Sequence, residues 1–529
     1  SIEIRKNVIM KYLLTIFGSF FIGILQAQVP CSLDNSFATN GKLVADGSRM
    51  GESVLVQNDG KIIIACNAFG NGQAYLKRLN IDGSIDNSYG IGGMCQISYG
   101  GINTDITDMK FFGGNLYLCG TNSSGNNTYV IAAAVSPTGT LINSFGAGGY
   151  VNFDNAGLYT CSALCVDATG KIYITGAKSF SELFVLKLNS NGSVDNSFDT
   201  DGIQTISTNN NNQWIETADI DIDKDGKILI AGKKYKANNG NPDPPFWNIL
   251  VARFNSDGSL DNGFATGGVG LFNSNAANFD ESRRILILPS GDYIVCGATY
   301  DGVDYDYTVV KLKNNGVVDN TFGNGGWFLH DLEYINDMEY LLNAALLPDG
   351  RILMTGNQGD GDTVYFSLLM LKPDGTRDVQ FAPNGLYKNI FNQNNNSSSS
   401  GMGLTSDGKI VLAGYTRTCA NGTCGPLYLA VSRYFGGTPT TPNALNEVTE
   451  ESDIILYPNP AMKNQELFLY VPSQAIVLDV KVIGMDGNFV CILYDRQRNC
   501  IKILAPVSGN YFCRIQTSHG ILTKRISIE

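Results

Sequence analysis

The chain has 529 residues, 60 of them Gly, with 16 % charged residues and a formal net charge of −12. This length admits more than one domain or one large repeat array, and a Gly-rich, charge-poor composition suits an all-β protein with many turns better than a helical one. The acidic balance argues against nucleic acid as a partner, because phosphate recognition needs basic surface.

At the amino-terminal end, Met10-Lys11 begins a basic start, YLLTIFGSFFIGIL (12–25) is an apolar run, and Leu25-Gln26-Ala27 offers a small residue for cleavage. The layout predicts a secretory signal peptide over residues 1–27, with residues 1–9 a possible upstream extension before a start at Met10. The run is too short to cross a bilayer comfortably, and no later segment is apolar enough to do so. The 12 cysteines are then expected to enter an oxidising compartment. Cys419 and Cys424 bracket one short loop and Cys491 and Cys500 another, which makes both pairs candidate disulfides. Without a C-x-x-C pair, zinc or thioredoxin-type chemistry has no support.

From residue 31 onward two signatures alternate. One is a turn followed by an apolar strand: NDGKIIIAC (58–66), GGNLYLCG (113–120), TGKIYITG (169–176), DGKILIAG (225–232), SGDYIVCG (290–297), DGRILMTG (349–356) and DGKIVLAG (407–414). The other is a corner such as SVDNSFDTDG (193–202), whose aromatic is Phe37, Tyr89, Phe145, Phe198, Phe264, Phe322 or Phe381, each followed four residues later by Gly. Spacings of this size signal propellers or related repeat arrays. Each unit resolves into four strands, the Asp-Gly steps supplying hairpin turns and the aromatic an anchor between sheets. The Asp of the corner is expected to cap its own turn. The residue before the closing Gly of each apolar strand (Cys66 stands for that Gly in the first) is Ala65, Cys119, Thr175, Ala231, Cys296, Thr355 or Ala413, small side chains suited to a crowded gap. Cys119 and Cys296 therefore read as packing residues.

The first corner and its strand KLVAD (42–46) lack three preceding strands, while the last unit, ending in YLAVSRYF (428–435), lacks a fourth. Closing a ring with the N-terminal strand leaves no exposed edge at the seam. The expected fold is thus all-β: a seven-bladed β-propeller over residues 31–436, closed by its own N-terminal strand. The D-G-K-I-L strand and the L-D-x-S-F-G-x-x-G corner resemble the delta-60 repeat, a bacterial propeller family, over about three-quarters of the chain. Two corners depart from the pattern and are expected to be looser: Ile142 replaces the Asp, and Arg377-Asp378-Val379-Gln380 keeps little beyond the Asp.

A Gly/Pro/Thr-rich and then acidic linker, 437–452, ends the repeats. Residues 453–529 read as a small C-terminal β-sandwich. The ordered residues Tyr457, Pro458, Asn459, Pro460, Gly509, Tyr511 and Lys524 resemble the C-terminal sorting domain of type IX secretion in Bacteroidota. The resemblance implies export through the outer-membrane secretion machinery and a secreted or cell-surface location reached via the periplasm. The other reading of this module is an adhesive Ig-like domain, since a sandwich alone carries no function.

Asp221-x-Asp223-x-Asp225-Gly226 mimics the start of a calcium loop, but its twelfth position is Gly232, where a bidentate Glu belongs. His330 and His519 are the only histidines and give no triad. No catalytic residue, cofactor or metal ligand is assigned. Length variation concentrates at 209–214, 233–247, 299–308 and 392–400, connections that share one face of a propeller. Trp214, Trp247, Tyr300, Asp301, Tyr305 and Tyr307 are the candidate ligand-face residues, because loops on a rigid scaffold commonly carry recognition. The expected function is a monomeric secreted or surface propeller binding an extracellular glycan or protein. The alternative is a secreted carbohydrate-active enzyme, a glycoside hydrolase or lyase, on the same scaffold, for which the acids Asp301, Asp304 and Asp306 are available.

Overall fold

The computed structural model describes residues 30–436 apart from 69–71, 101–102, 125–126, 154–158, 179–180, 208–213, 237–245, 275–278, 301–303, 331–338, 361–362, 392–394 and 421–422. Beyond them it describes 455–457, 461–462, 465–470, 477–484, 489–490, 492–495, 500–503, 509–517 and 520–528, so the expected signal peptide and linker lie outside the described residues. The chain divides into two compact units, Ser1–Thr438 and Pro439–Glu529.

The first unit is a succession of antiparallel sheets, each taking its strands in chain order. Sheet I comprises Arg49–Val56, Ile62–Ala68, Ala74–Leu79 and Met94–Ile97; sheet II, Asn103–Phe112, Asn115–Ser124, Asn127–Val135 and Tyr150–Phe153. Sheet III is Tyr159–Val166, Ile172–Lys178, Glu182–Leu188 and Ile203–Ser207; sheet IV, Ile215–Ile222, Ile228–Lys236, Phe246–Phe254 and Val269–Phe272. Sheet V follows with Phe279–Ile287, Tyr293–Tyr300, Tyr305–Leu312 and Trp327–His330, and sheet VI with Glu339–Leu346, Ile352–Asp360, Thr363–Leu371 and Leu386–Asn389. Sheet VII has Asn395–Leu404, Ile410–Ala420 and Tyr428–Tyr434, and its last strand comes from the other end of the unit. Lys42–Gly47 pairs antiparallel with Tyr428–Tyr434, with Lys42 opposite Ser432 and Ala45 opposite Leu429. The first strand of each sheet packs on that of the next, and the first strand of sheet VII packs on that of sheet I.

One device recurs in all of these first strands. Their register slips by one residue at Glu52, Thr107, Ser162, Ala218, Arg283, Leu342 and Ser400. Such a bulge bends the strand and increases its twist, as innermost strands of a ring require. The closing Gly of the second strand lies across from it. A Cβ at Gly232 would lie 2.0 Å from the Glu216 carbonyl oxygen, and one at Gly176 would lie 1.8 Å from that of Thr160. In these sheets the glycine makes room for the bulge, whereas sheet I places Cys66 there, opposite Gly51; the small residue before it answers the crowding between sheets.

The corners are chemical as well as steric. Asp195 caps its turn by accepting from the amide and hydroxyl of Ser197 (3.2 and 2.7 Å). It also holds Lys171 and Lys187 at 2.5 and 3.5 Å. Asp86 pairs with Arg78 and Lys61, Asp261 with Arg253 and Lys227, and Asp34 with Arg433 and Lys409. The same cations cover the buried anchor rings, Arg78 lying 4.5 Å from the Tyr89 centroid and Arg253 4.9 Å from that of Phe264. They also reach the following sheet, where Arg78 donates to the Pro137 carbonyl at 2.6 Å. At Ile142 the carboxylate is gone, yet the turn keeps its backbone bond, Phe145 N to Ile142 O at 2.9 Å, against 3.0 Å for Phe198 N to Asp195 O. That corner is not looser: the backbone turn, not the carboxylate, sets its shape. Asp378 likewise still caps Gln380 and pairs with Arg351 at 2.9 Å.

In the second unit one sheet runs Ile455–Tyr457, Glu466–Tyr470, Cys500–Ile503, Ile492–Asp495 and the other Phe489–Val490, Val477–Gly484, Gly509–Thr517, Gly520–Ile528. Leu467 and Ile501 of the first share one apolar cluster with Val482, Ile515 and Ile526 of the second.

Candidate functional site

A series of aromatic rings crosses sheets IV, V and VI at the end of the sheets that carries the variable connections. Trp214 lies just before the first strand of sheet IV, Tyr235 near the end of the second and Trp247 near the start of the third. Tyr235 and Trp247 are direct cross-strand partners with centroids 5.3 Å apart, and Trp214 sits 6.3 Å from each. Opposed aromatics of this kind are a favoured cross-strand pair. Trp247 then meets Phe279 of sheet V at 5.8 Å, where one parallel bridge joins the two sheets. Phe279 leads to Tyr305 (5.6 Å), which stacks with Tyr300 (5.2 Å) and reaches Tyr340 of sheet VI (5.4 Å).

Charges are threaded between the rings. Lys233 lies 4.9 Å from the Trp247 centroid and 5.3 Å from that of Phe279, and its ammonium pairs with Glu216 at 3.2 Å and Glu281 at 2.8 Å. Arg283 covers the Tyr340 ring at 4.7 Å and also pairs with Glu281 at 2.8 Å. The Tyr340 hydroxyl donates to the same Glu281 oxygen. Burial would raise the Glu281 carboxyl, but the Arg283 and Lys233 charges and these hydrogen bonds outweigh it and hold it below the ordinary carboxylate range. Glu339, the neighbour of Tyr340, goes the other way. It is 2 % exposed, and burial, reinforced by the charge of Asp306, pushes it up to about 8. Gln358 donates to its Oε1 at 2.9 Å, and its Oε2 has no partner among the described residues. At neutral pH one carboxyl is thus ionised and the other protonated on adjoining sheets.

Deeper along the first strands, Arg284 ties three sheets together, donating to Asn343 of sheet VI at 2.9 Å and to Asp219 of sheet IV at 3.2 Å. The second Asp219 oxygen accepts from the Ile285 amide at 3.0 Å, so this carboxylate links sheet IV to sheet V. Glu52, facing the same interior, is pushed up to about 7 by burial, which the Arg284 charge only partly offsets.

Of the candidate ligand-face residues, Trp214, Trp247, Tyr300 and Tyr305 lie in the aromatic series, with Trp214 47 % exposed. Asp301 lies outside the described residues. Tyr307 is not a ligand-face residue: it is 1 % exposed and its hydroxyl meets that of Ser367 at 2.5 Å. It projects from the same side of its strand as Tyr305, but two residues deeper, where the next sheet covers it. The sequence reading missed Tyr235, Phe279, Tyr340, Lys233, Glu281 and Arg283. Tyr235 and Lys233 sit inside the 233–247 insertion already singled out, whereas Phe279 and Tyr340 look like ordinary strand openers. Asp223 of the calcium-like stretch serves a hairpin, accepting from the amides of Asp225 and Lys227 (2.9 Å each) and from the Tyr293 hydroxyl (3.1 Å). Cys419 and Cys424 are joined by a disulfide. Cys491 lies outside the described residues, as do Pro458, Asn459, Pro460 and His519. Tyr457, Gly509 and Lys524 fall on strands, and Tyr511 is buried in the second unit's core.

Residues 57–89, 168–198 and 224–264 match the family described as a β-propeller domain of unknown function, DUF5122. The first unit is a β-propeller. Among solved structures the chain is similar to Drosophila semaphorin 2a at 10 % identity and a TM-score of 0.42, covering 95 % of this chain and 98 % of that one. It is also similar to a protein of unknown function from Dyadobacter fermentans (11 % identity, TM-score 0.38, 77 % and 98 % covered). A third likeness is to a polysaccharide lyase, the family PL25 ulvan lyase (10 % identity, TM-score 0.43, 74 % and 94 % covered). No curated protein matches the chain. In the propeller, the aromatic series lies across three consecutive sheets on the face opposite the Asp-Gly turns and corners. Among the described residues no group of three His, Cys, Asp or Glu gathers in a metal-binding arrangement, and none of the helices described is long and apolar enough to cross a membrane.

Proposed function

We propose that the propeller is a seven-bladed ring closed by residues 42–47, and that it binds an extracellular glycan or protein through the aromatic series on its variable face. The observation that carries this reading is the unbroken run of rings from Trp214 to Tyr340, spanning sheets IV to VI beside the longest connections. Isolated exposed aromatics are ordinary on a surface, whereas a contiguous run on a rigid frame is a recognition feature. Glycan-array and pull-down screens with the full chain are expected to give a ligand whose affinity drops at least about tenfold in Trp214→Ala and Tyr300→Ala, the loss typical of a binding hot spot. Blank screens, or a ligand indifferent to both substitutions, defeat the proposal.

The second reading, a carbohydrate-active enzyme, is favoured by one observation: two carboxyls flank one ring of the series. Glu281 accepts from the Tyr340 hydroxyl, and the buried Glu339 precedes Tyr340 in the strand. The charges around Glu281 favour its ionised form, and burial favours protonated Glu339. Carboxyls driven apart in this way are a pattern of acid–base catalysis. Incubation with extracellular polysaccharides tests it, with product release abolished in Glu281→Gln and Glu339→Gln as the outcome that would promote this reading over simple binding.

Export belongs to the same proposal. Residues 1–27 act as signal peptide, residues 453–529 as a small sandwich of the type IX sorting kind, and the delta-60-like repeats form the delivered part, in a bacterium of the Bacteroidota. Mass spectrometry of culture medium and outer-membrane fractions is expected to find peptides from 31–436 without those from 1–27. Retention of the intact chain in the cytoplasm contradicts it.

A further inference from the structure

The small-residue column described above brings side chains of neighbouring sheets into direct contact, and in one gap both of them are cysteines. The residue before the closing Gly of a second strand faces the residue just before the bulge in the next sheet. Between sheets VI and VII these are Thr355 and Ser399, whose hydroxyl oxygens are 2.7 Å apart, both residues being fully buried. Between sheets VII and I they are Ala413 and Gly51, where a Cβ on Gly51 would lie 2.9 Å from the Ala413 Cβ. Between sheets II and III they are Cys119 and Cys161.

The local contacts place that pair in the same way. The Cys161 amide donates to the Thr121 hydroxyl at 3.0 Å, and Thr121 stands two residues from Cys119 on the same side of its strand. Both cysteines belong to one apolar cluster, 0 % and 6 % exposed, and stand there as free thiols. Disulfides need Cβ atoms about 3.5–4.5 Å apart, and in the equivalent place the atoms borne on the Cβ of Thr355 and Ser399 meet at 2.7 Å. Cys296, in the equivalent place in sheet V, faces Leu341 instead and has only the packing role.

We propose that Cys119 and Cys161 form a disulfide that staples sheet II to sheet III. The oxidant is a small-molecule disulfide, RSSR. One cysteine thiolate attacks it, breaking its S–S bond, forming a mixed disulfide and releasing RS⁻. The second thiolate attacks the cysteine sulfur of that mixed disulfide, forming the Cys119–Cys161 bond and releasing the second RS⁻. The two thiol protons leave to solvent, so two protein thiols are oxidised and one RSSR is reduced to two RSH. In the folded chain, burial pushes the Cys119 thiol well above its ordinary range, so thiolate is scarce and access is closed. The bond therefore forms during folding, while the gap between the two sheets is still open to solvent.

The full chain is unfolded with a thiol reductant and refolded either in a buffer of oxidised and reduced glutathione or in reductant alone. Non-reduced peptide mapping of the oxidatively refolded protein is expected to show a peptide linking Cys119 and Cys161, with the Cys419–Cys424 link as internal control. The unfolding midpoint is expected several degrees above that of the reductively refolded sample. Cys119→Thr combined with Cys161→Ser recreates the Thr355–Ser399 pair, so it is expected to fold and to lose that part of the redox-dependent shift. Alkylation of both Cys119 and Cys161 after oxidative refolding, while Cys419 and Cys424 are linked, overturns the inference. So does a redox-dependent shift that is the same in the double variant.

Discussion

At the residue scale, the informative group is the corner aspartate. Its repeated carboxylate looks like a turn cap in the sequence, and it is one, but it also holds basic side chains, two at Asp34, Asp86, Asp195 and Asp261 and one at Asp319 and Asp378. Burial would raise Asp34, yet Ser36, Lys409 and Arg433 bring it down to about 2, and Asp319 is likewise lowered to about 2, chiefly by Lys311. An unfolded aspartate titrates near ~3.9. These groups therefore bind protons less readily when folded, and the stability they contribute is present above about pH 4 and lost as pH falls toward about 2. Glu339 has the opposite sign. Its folded value of about 8 exceeds the unfolded ~4.3, so its contribution is full below pH 4 and disappears as pH rises through 8. Denaturant titrations of Glu339→Gln are expected to show a gain of several kcal/mol, up to about 4–5, at pH 8 and none at pH 4. An equal gain at both pH values would mean that the carboxyl is not held protonated.

At the scale of the strand, the bulge and its facing glycine form one unit. Gly232→Ala drives a methyl into the Glu216 carbonyl, whereas Gly226→Ala, in a hairpin turn at φ +74° with open space around it, meets only backbone strain. We expect roughly 1 kcal/mol for Gly226→Ala and about 3 kcal/mol or more for Gly232→Ala in urea unfolding. Comparable costs would show that the first strand can relax without its bulge. The same scale explains what was legible in the sequence. Turns and corners are imposed by backbone geometry in every sheet, and the glycine column recurs in all but sheet I, where Cys66 stands, so they repeat and the period exposes them. The aromatic series occurs once, and its members take no common place in the repeat, so no period reveals it. Trp214 and Trp247 stood out only because long insertions flank them. Tyr305 and Tyr307 share strand parity, and the depth that separates exposed from buried is set by the neighbouring sheet, which a single strand does not encode. The bases paired with the corner aspartates were hidden for a related reason. A Lys after Asp-Gly reads as a solvated hairpin residue until the corner folds back over it. Sheet II illustrates the coupling: Ile142 replaces the aspartate, and Ala134 and Asn115 stand where the other repeats mostly place its cations. Ile142→Asp alone is expected to destabilise the protein, and adding Ala134→Arg to recover about 1–3 kcal/mol in a double-mutant cycle, because the new carboxylate otherwise lacks its partner.

At the scale of the whole molecule, the seam between Lys42–Gly47 and Tyr428–Tyr434 differs from every other strand pairing in the propeller, because no short connection joins its partners. Elsewhere a frayed pair is returned by a hairpin turn or by a corner such as 189–202. Here the ends are held by the ladder, by Lys42 donating to the Ile390 carbonyl and Asp46 holding Tyr75 and Lys77 of sheet I, and by the first corner, where Asp34 bonds Arg433 at 2.8 Å and Lys409 at 3.0 Å and Arg433 lies 4.8 Å from the Phe37 centroid. The chemistry is that of Asp195 with Lys171 and Lys187, but there the whole triad lies within one sheet and its own corner. Comparing Asp34→Asn with Asp195→Asn therefore separates what the ion pair contributes from what closure adds. Local openings have their own free energies, and the least tethered element opens first. Native-state hydrogen exchange is expected to show the amides of 42–46 and 429–434 opening more readily than those of 183–187. Asp34→Asn is expected to lower the seam's opening free energy by about 2 kcal/mol or more, the loss typical when a buried pair is left half-made, without touching sheet III. Asp195→Asn is expected to do the reverse, loosening sheet III and leaving the seam unchanged. If both substitutions lower protection uniformly over the propeller, the ring opens only as a whole, and the terminal strand is no weaker a join than a covalent turn.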